Sequence, residues 1–553
     1  MNSFFLIFFY YWIIIFSVVG YGLLFSKYII VKSNSNINIG YIGLYGIFSL
    51  LLISYFSSFF LPHSIFFNFI IIGIGFIYFL TSTRKKYLSN NFKILIISFL
   101  LLLITIYAAK QHDDFGYYHF PYAQLLTEYS GLVGIGNFNH GFRTHSSIFY
   151  LSSLFYLPFI KYYSLHLTSV LFLGFSNLIF YKKIKENLDK EKNLYLIFLS
   201  LFSLVFVNVF FYRLAEHGTD RSAMILIMIL VIEIIYLINL KQTFDKDYVI
   251  KCIILISIIF SLKAFYIIYL PLFFVFFYYY KKKKKLIFYL LNNKVFYLST
   301  ALILICLLTN FLNTGCLIYP LKISCYENFQ WTISLKEVDQ MNIWYQQWSK
   351  AGATPNFTVS NPEEYVKNFN WVSNWFQMYF FNKVSDFLLG LIFLIFLFMS
   401  LFFRKKINTN KKKLLLLYIV LLILFFEWFY FHPALRYGGY HLVAILFFIP
   451  FSVLLEKYSG FNKNFNKKVY FIIFLGILVF FMRNTARLNK EYHAYNYNPL
   501  KNAYYKKFQQ NFTISKAVKK TIECIDKEAI ESCKSNSIKA KKLFNSYMFY
   551  KKK

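Results

Sequence analysis

The sequence predicts an all-α polytopic membrane protein with about 13–14 transmembrane helices. Of its 553 residues, 58% are hydrophobic and 15% are charged, whereas soluble domains are about 45–50% apolar and about 25% charged. The mean hydropathy is +0.50. The apolar residues also form repeated stretches near the length of about 20 residues that a bilayer requires. This composition excludes a soluble enzyme, a disulfide-stapled mini-protein and a disordered chain.

Apolar segments along the whole chain support this prediction. The first has no positively charged start and no small-residue cleavage site, so we expect a membrane helix there rather than a signal peptide. The segments lie near 3–25, 41–61, 64–81, 93–109, 165–181, 193–212, 222–240, 251–262, 264–280, 295–312, 386–403, 413–431, 439–455 and 469–486.

Clusters of basic residues predict the orientation of these helices. The net charge of +35 comes from 59 Lys and Arg against 24 Asp and Glu. Lys and Arg between spans are typical of cytoplasmic loops, which places loops 110–164, 213–221, 313–385 and 432–438 on the outer face. The clusters are Arg84–Lys86, Lys182–Lys185, Lys281–Lys285, Arg404–Lys406 and Lys411–Lys413.

The same alternation requires a special assignment for residues 147–160. A full span there would put the Lys182–Lys185 cluster on the wrong side, so we expect a helix that lies in or dips into the outer interface. The chain then divides into six parts. These are N-terminal transmembrane helices 1–109, an outer loop with an acidic motif and interfacial helices 110–164, central helices 165–312, a large outer loop 313–385, C-terminal helices 386–486 and a small outer, periplasmic tail 487–553.

Histidines and cysteines concentrate on the predicted outer side. Cys316 and Cys325 share one outer segment, and Cys524 and Cys533 share another, which predicts two local disulfides in an oxidising compartment. A zinc site is the alternative, although neither pair is a C-x-x-C motif. The outer histidines are His63, His112, His119, His140, His145, His217, His432, His441 and His493.

The first outer loop holds the densest group of reactive side chains. Asp113 and Asp114 stand between His112 and His119, with Tyr117 close by. Ionisable groups near a bilayer are costly and are often functional. A single carboxylate at the membrane surface would need no function, but this combination predicts a catalytic site, with Asp114 favoured over Asp113 as the base.

Further candidates occur at other outer helix junctions. Singly, each could be a side chain that reaches back to the interface or sets topology. Together they predict a cavity that surrounds the carboxylates with cations and suits a phosphate-bearing lipid. The glycines near 131–136 have no preceding strand, so a dinucleotide site is rejected. The candidate substrate contacts are His112, Tyr117, His119, Arg143, His145, Asp220, Lys263, Arg436 and Tyr437.

These motifs resemble the GT-C superfamily of integral-membrane glycosyltransferases, which includes the bacterial aminoarabinose and protein mannosyltransferases. The sequence is most similar to a bacterial group of GT-C-like proteins associated with surface polysaccharides. Unlike the usual GT-C pattern, the acidic loop here follows four spans and carries Asp-Asp rather than Asp-Glu. The similar stretches are 114–123, 134–147, 218–220, 261–263, 318–321, 433–437 and the pair Cys524 and Cys533.

The resemblance implies transfer of a sugar, with inversion, from a polyprenyl-phosphate donor to a cell-envelope glycan or lipid acceptor. It places this reaction on the outer face of a bacterial inner membrane. Asp114 or Asp113 would be the base, and Arg143, Lys263 and Arg436 would contact phosphate. Asp220 would orient the acceptor. No cofactor is implied with certainty; a divalent metal could use Asp113, Asp114 and Asp220. No nucleic-acid partner is expected.

Three alternatives remain open at this stage. A transporter or flippase of lipid-linked oligosaccharides would also be polytopic, but it predicts internal repeats and charges at mid-membrane depth. A polysaccharide polymerase or ligase would share the lipid-phosphate chemistry. A purely structural membrane subunit would need none of the outer residues.

Overall fold

A computed structural model describes most of the chain. The described residues are 2–30, 38–82, 88–216, 218–239, 246–279, 283–352, 359–403, 414–461, 464–507, 513–525, 533 and 537–551. The basic clusters Arg84–Lys86, Arg404–Lys406 and Lys411–Lys413, together with Lys281, Lys282 and His217, lie outside them.

The described part of the chain is almost entirely helical, with one small sheet. The helices are α1 (Ser3–Phe25), α2 (Ile39–Ser58), α3 (Ile65–Ser82), α4 (Leu88–Ile106), α5 (Phe120–Glu128), α6 (His140–Arg143), α7 (Ser147–Ser153), α8 (Thr168–Asp189), α9 (Leu194–Phe210), α10 (Gly218–Asn239), α11 (Lys246–Leu262), α12 (Leu270–Tyr279), α13 (Lys283–Leu291), α14 (Lys294–Thr314), α15 (Leu335–Lys350), α16 (Pro362–Val366), α17 (Val372–Trp375), α18 (Ser385–Phe402), α19 (Leu415–Phe431), α20 (Gly439–Tyr458), α21 (Phe465–Tyr495) and α22 (Thr513–Glu523). The strands are β1 (Leu132–Val133), β2 (Ile538–Leu543) and β3 (Ser546–Lys551).

The apolar helices are long enough for a polytopic membrane protein. Within the described residues, nine helical segments of at least 18 residues are apolar enough to cross a bilayer, and four shorter apolar helices accompany them. Each of the fourteen apolar segments found in the sequence overlaps one of the helices above. The all-α polytopic architecture is therefore confirmed.

The first three helices pack with their backbones in contact. An added Cβ at Gly20 would lie 1.9 Å from the Gly75 carbonyl oxygen of α3, and one at Gly46 would lie 1.8 Å from the Val18 carbonyl oxygen of α1. Only glycine permits such an approach, which is a common way for helices to associate in membranes. Behind this layer, α8 and α10 are almost wholly buried and form the centre of the bundle.

The predicted reactive residues gather at one end of the bundle. Helices α4, α11, α14 and α19 end there, and α10 and α20 begin there. Helix α8 also begins there, because His166, just before it, bonds the Ile106 carbonyl oxygen at the end of α4 over 2.8 Å. Lys182 and Lys183, near the other end of α8, therefore lie far from the reactive residues, as the charge pattern predicts.

The tail packs on this same end. Strand β3 pairs in parallel with β1 of the first large loop and antiparallel with β2. Lys519 of α22 forms an ion pair with Glu128 of α5 over 2.8 Å. The tail and the first large loop therefore share one end of the bundle. The structure also joins Cys316 to Cys325 and Cys524 to Cys533 by disulfides.

The helix expected over 147–160 is shorter than predicted and is buried within the protein. Helix α7 ends at Ser153, and all seven of its residues are buried. It packs against α2 and α5, and the chain then turns, with Phe159 and Lys161 at positive φ. Most apolar residues of this segment are buried within the protein, whereas Phe159 is 80% exposed.

Candidate functional site

One cavity of about 340 Å³ at this end brings together side chains from seven regions of the chain. Its lining includes most of the predicted substrate contacts. It also includes several aromatic residues that were not among the predicted substrate contacts. The predicted residues in the lining are Asp114, Tyr117, His145, Asp220, Lys263, Arg436 and Tyr437. The additional ones include Tyr118, His140, Tyr319, Trp344, Tyr345, Trp348 and His432.

The Asp114 side chain lines the cavity, whereas the Asp113 side chain does not. Asp114 precedes a helical turn at 115–119 without capping it by its side chain, so its carboxylate is available to the cavity. Its Oδ2 accepts a hydrogen bond from Arg436 Nη2 over 2.9 Å. The Asp113 side chain is 85% exposed and pairs with Lys110 over 3.1 Å. The two adjacent carboxylates therefore have different surroundings.

The surroundings of Asp114 keep it ionised. Burial alone would raise the pKa of this carboxyl, but the hydrogen bond with His112 and the positive charge of Arg436 hold the pKa well below its usual range. His112 Nδ1 lies 3.3 Å from Oδ2 of Asp114 and 3.1 Å from its backbone nitrogen. His112 therefore contacts Asp114 but does not line the cavity.

A second ion pair faces the first. Asp220 lies in the first turn of α10, where the helix dipole favours a negative charge. Its Oδ1 accepts a hydrogen bond from Lys263, which follows the last residue of α11. The Tyr437 ring contacts both cations, with Lys263 Nζ 5.6 Å and the Arg436 guanidinium 5.3 Å from its centroid. Burial raises the pKa of Tyr437 to about 12, so its hydroxyl stays protonated.

The loop that carries Arg436 is fixed by hydrogen bonds to its backbone. Trp375 Nε1 donates to the Pro433 carbonyl oxygen over 3.1 Å, and Trp428 Nε1 donates to the Ala434 carbonyl oxygen over 3.1 Å. Gly438 then adopts φ 110°, which allows the chain to turn into α20. The backbone that carries Arg436 is therefore held in place on both sides of the loop.

His145 presents an unbonded nitrogen at the cavity wall. Its Nδ1 is 2.7 Å from Asn310 Oδ1, and the Asn310 amide nitrogen donates to the Leu317 carbonyl oxygen over 3.0 Å. This network assigns the proton to Nδ1, which leaves Nε2 as an acceptor with no partner among the described residues. Burial lowers the pKa of His145 to about 4, so the ring stays neutral.

Three predicted substrate contacts lie outside the cavity: His112, as described above, and also Arg143 and His119. Arg143 is buried, and its guanidinium already donates to Glu337 Oε1 over 2.5 Å, to the Gly136 carbonyl oxygen over 2.9 Å and to Tyr319 Oη over 3.1 Å. His119 lines a separate cavity of about 30 Å³, and burial lowers its pKa to about 3. The structure therefore gives Arg143 an internal partner, because Glu337 of α15 neutralises it.

The carboxylates do not form a metal site. The described residues contain no group of three or more His, Cys, Asp and Glu side chains arranged to hold a metal ion. Asp114 and Asp220 each pair with a cation, and Asp113 points away from the cavity. The possible metal ligand set suggested by the sequence, Asp113 with Asp114 and Asp220, does not fit this geometry.

A family comparison covers this whole site. The model of a family described as a domain of unknown function (DUF8201) matches residues 4–443. The chain belongs to this family. The DUF8201 range includes every cavity residue named above, from Asp114 to Tyr437, whereas the tail lies beyond it. No curated protein and no solved structure matches the chain.

Proposed function

We propose that the protein is a glycosyltransferase that moves a sugar from a polyprenyl-phosphate donor to a cell-envelope acceptor on the outer face of a bacterial inner membrane. The observation that carries the proposal is the pairing of Asp114 with Arg436 and of Asp220 with Lys263 in one cavity at the end of a membrane bundle. Such a cavity offers carboxylates for an acceptor hydroxyl and cations for a lipid phosphate.

In this reaction Asp114 is the general base. Its carboxylate takes the proton of the acceptor hydroxyl as the oxygen attacks the anomeric carbon of the donor sugar. A new glycosidic C–O bond forms while the bond from the anomeric carbon to the phosphate oxygen breaks. The electron pair of that bond leaves with polyprenyl phosphate. Because the hydroxyl oxygen attacks from the face opposite the leaving phosphate, the configuration at the anomeric carbon inverts.

Arg436 and Lys263 stabilise the charge that develops on the departing phosphate. Their pairing with carboxylates gives them a second role. An incoming donor phosphate competes with Asp114 for the Arg436 guanidinium and thereby weakens the interaction that lowers the pKa of Asp114. Donor binding then makes Asp114 a stronger base at the stage when the acceptor hydroxyl must lose its proton.

Asp220 and His145 orient the acceptor in this scheme. Asp220 accepts from Lys263 through Oδ1, which leaves its other oxygen for a hydroxyl. His145 contributes the unbonded Nε2 described above. Arg143 is not assigned to the phosphate in this proposal, because it does not line the cavity and already donates to Glu337, Gly136 and Tyr319.

The adjacent carboxylates provide a matched test. Asp114→Asn should lower transfer from a labelled polyprenyl-phosphate sugar in proteoliposomes by roughly 10²–10⁴-fold, the usual contribution of a general base. Asp113→Asn changes the neighbouring, exposed carboxylate in the same way and should keep transfer near the wild-type rate.

Two results would contradict the proposal. Equal transfer by wild type and Asp114→Asn would exclude Asp114 as the base. If Asp114→Asn keeps translocation of a lipid-linked oligosaccharide and no variant or wild-type protein transfers sugar, the transporter alternative is favoured.

Arg436→Ala should instead raise the donor concentration needed for half-maximal transfer, because it removes a phosphate contact.

A further inference from the structure

A row of four aromatic rings crosses the cavity wall beside Asp114. Tyr117, His140, Trp344 and Trp348 form this aromatic row, and all four line the cavity. The ring centroids of Tyr117 and His140 are 5.4 Å apart, as are those of His140 and Trp344. Those of Trp344 and Trp348 are 5.6 Å apart. The row begins three residues after Asp114, so it leads from the carboxylate towards α15.

Two rings of the row are exposed, and the other two are half-buried. Trp344 is 40% exposed and Tyr117 is 39% exposed. Large apolar side chains that remain accessible along a cavity mark binding surfaces. The two tryptophans lie four residues apart and therefore share one face of α15.

Helix α15 is held firmly at both ends. Glu337 in its first turn binds Arg143 over 2.5 Å. Ser349 in its last turn accepts a hydrogen bond from the Ala434 backbone nitrogen over 3.0 Å, which links it to the loop of Arg436. The aromatic row is therefore a fixed platform, and a ligand that uses it gains from this preorganisation.

The chemistry of α15 favours a sugar over a lipid tail as the occupant. More than half of its residues are polar or charged, and it lies in the large outer loop rather than among the apolar helices. A polyprenyl chain would meet a polar helix there. A sugar ring instead stacks its C–H face on the electron-rich face of an aromatic ring and keeps its hydroxyls in water.

We infer that the aromatic row is an acceptor subsite that binds a glycan chain, with sugar rings stacked on Trp344 and Trp348 and the chain end directed towards Asp114. The role of the bound glycan as acceptor rests on the proposed function. The binding of the glycan to the aromatic row does not depend on it. It narrows the acceptor, left open above as a glycan or a lipid, to an oligosaccharide or polysaccharide. Four rings in a row offer stacking to more than one sugar unit.

Direct binding tests this inference without any transfer reaction. The probe is the mixture of short oligosaccharides obtained by partial hydrolysis of the surface polysaccharide of the source strain, titrated by calorimetry into the full chain in lipid nanodiscs. Saturable binding is expected. Trp344→Leu and Trp348→Leu should each weaken it roughly 3- to 10-fold, as expected for loss of one aromatic contact.

Three comparison variants make the result specific. Trp344→Phe keeps an aromatic face and should bind within about twofold of wild type by the same estimate. Tyr326→Ala removes a 52% exposed ring outside the cavity and should have no effect. Asp114→Asn should bind the oligosaccharides normally although it transfers no sugar.

The inference is overturned if wild type shows no saturable binding or if the Leu variants bind as wild type does. It is also overturned if Trp344→Leu and Trp344→Phe bind the oligosaccharides equally well. An apolar ligand would tolerate either side chain, whereas a stacked sugar requires an aromatic ring. Normal oligosaccharide binding together with full transfer by Asp114→Asn would refute the proposed function alone. Loss of transfer in Asp114→Asn with no effect of the Trp variants would refute the glycan subsite alone.

Discussion

Removing the charge of Arg436 should move the acid limb of the pH–activity profile to higher pH. Arg436 Nη2 is 2.9 Å from Asp114 Oδ2, and its charge is one cause of the lowered pKa of that carboxyl. In Arg436→Met this positive charge is lost, so the pKa of Asp114 rises, because burial also raises it. Asp114 acts as a base only when ionised, so activity is lost as the pH falls through its pKa.

The size of the change follows from the geometry. Two unit charges about 4 Å apart attract by about 4 kcal/mol at an effective dielectric constant of about 20. The side chains of Arg436 and Asp114 are 35% and 27% exposed, so solvent screening reduces this to about 2 kcal/mol. At about 1.4 kcal/mol per pH unit, the acid limb should move up by roughly 1.5 pH units.

The assay is the pH dependence of kcat/KM for transfer in proteoliposomes. Arg436→Lys keeps a positive charge at this position and should keep the wild-type acid limb even if its rate falls. Labelling of Asp114 by a hydrophobic carbodiimide, which reacts with protonated carboxyls, provides a readout that does not depend on activity. The reasoning is refuted if Arg436→Met and wild type share one acid limb and one pH dependence of labelling.

Three other predictions concern parts of the chain around the cavity. Arg143→Met should lower thermal stability in detergent, because breaking a largely buried ion pair costs about 3 kcal/mol, and should leave the KM for the donor unchanged; a raised donor KM without destabilisation would restore Arg143 as a phosphate contact. Mass spectrometry of unreduced protein should find Cys316–Cys325 and Cys524–Cys533 linked, each loop contributing on the order of 2–3 kcal/mol; free thiols in these segments would contradict this. Reporter fusions near residue 120 should be external and those near residue 187 cytoplasmic; a cytoplasmic reporter at residue 120 would remove the basis of the proposed function.

The membrane helices could be predicted from the sequence because their cause is local. A bilayer demands a long apolar segment whatever the rest of the chain does, and each predicted segment overlaps a helix. The predicted gathering of Asp114, Asp220, Lys263 and Arg436 rests on the same argument. Helix ends that alternate between two faces must bring these junctions to one end of the bundle.

The internal partner of Arg143 could not be predicted in this way. Glu337 lies 194 residues away along the chain, and residue type alone does not tell whether an arginine is bound by the protein or open to a ligand. The choice between Asp113 and Asp114 likewise depends on the direction of one turn. The aromatic row had one local signal, Trp344 and Trp348 four residues apart in a polar helix, but its link to Tyr117 and His140 is tertiary.

The paired charges finally predict that donor and acceptor bind cooperatively. Asp114 cannot hold both Arg436 and an acceptor hydroxyl well, so a donor phosphate that draws Arg436 away should improve acceptor binding. One hydrogen bond to a charged group contributes about 1.5 kcal/mol or more, so polyprenyl phosphate should tighten oligosaccharide binding roughly tenfold. By linkage, the oligosaccharide should tighten polyprenyl phosphate binding by the same factor. Both effects should vanish in Asp114→Asn, which lacks the carboxylate, and in Arg436→Met, where Asp114 is already released. Equal oligosaccharide affinity of the wild type with and without polyprenyl phosphate would show that the Arg436–Asp114 pair does not couple the two sites.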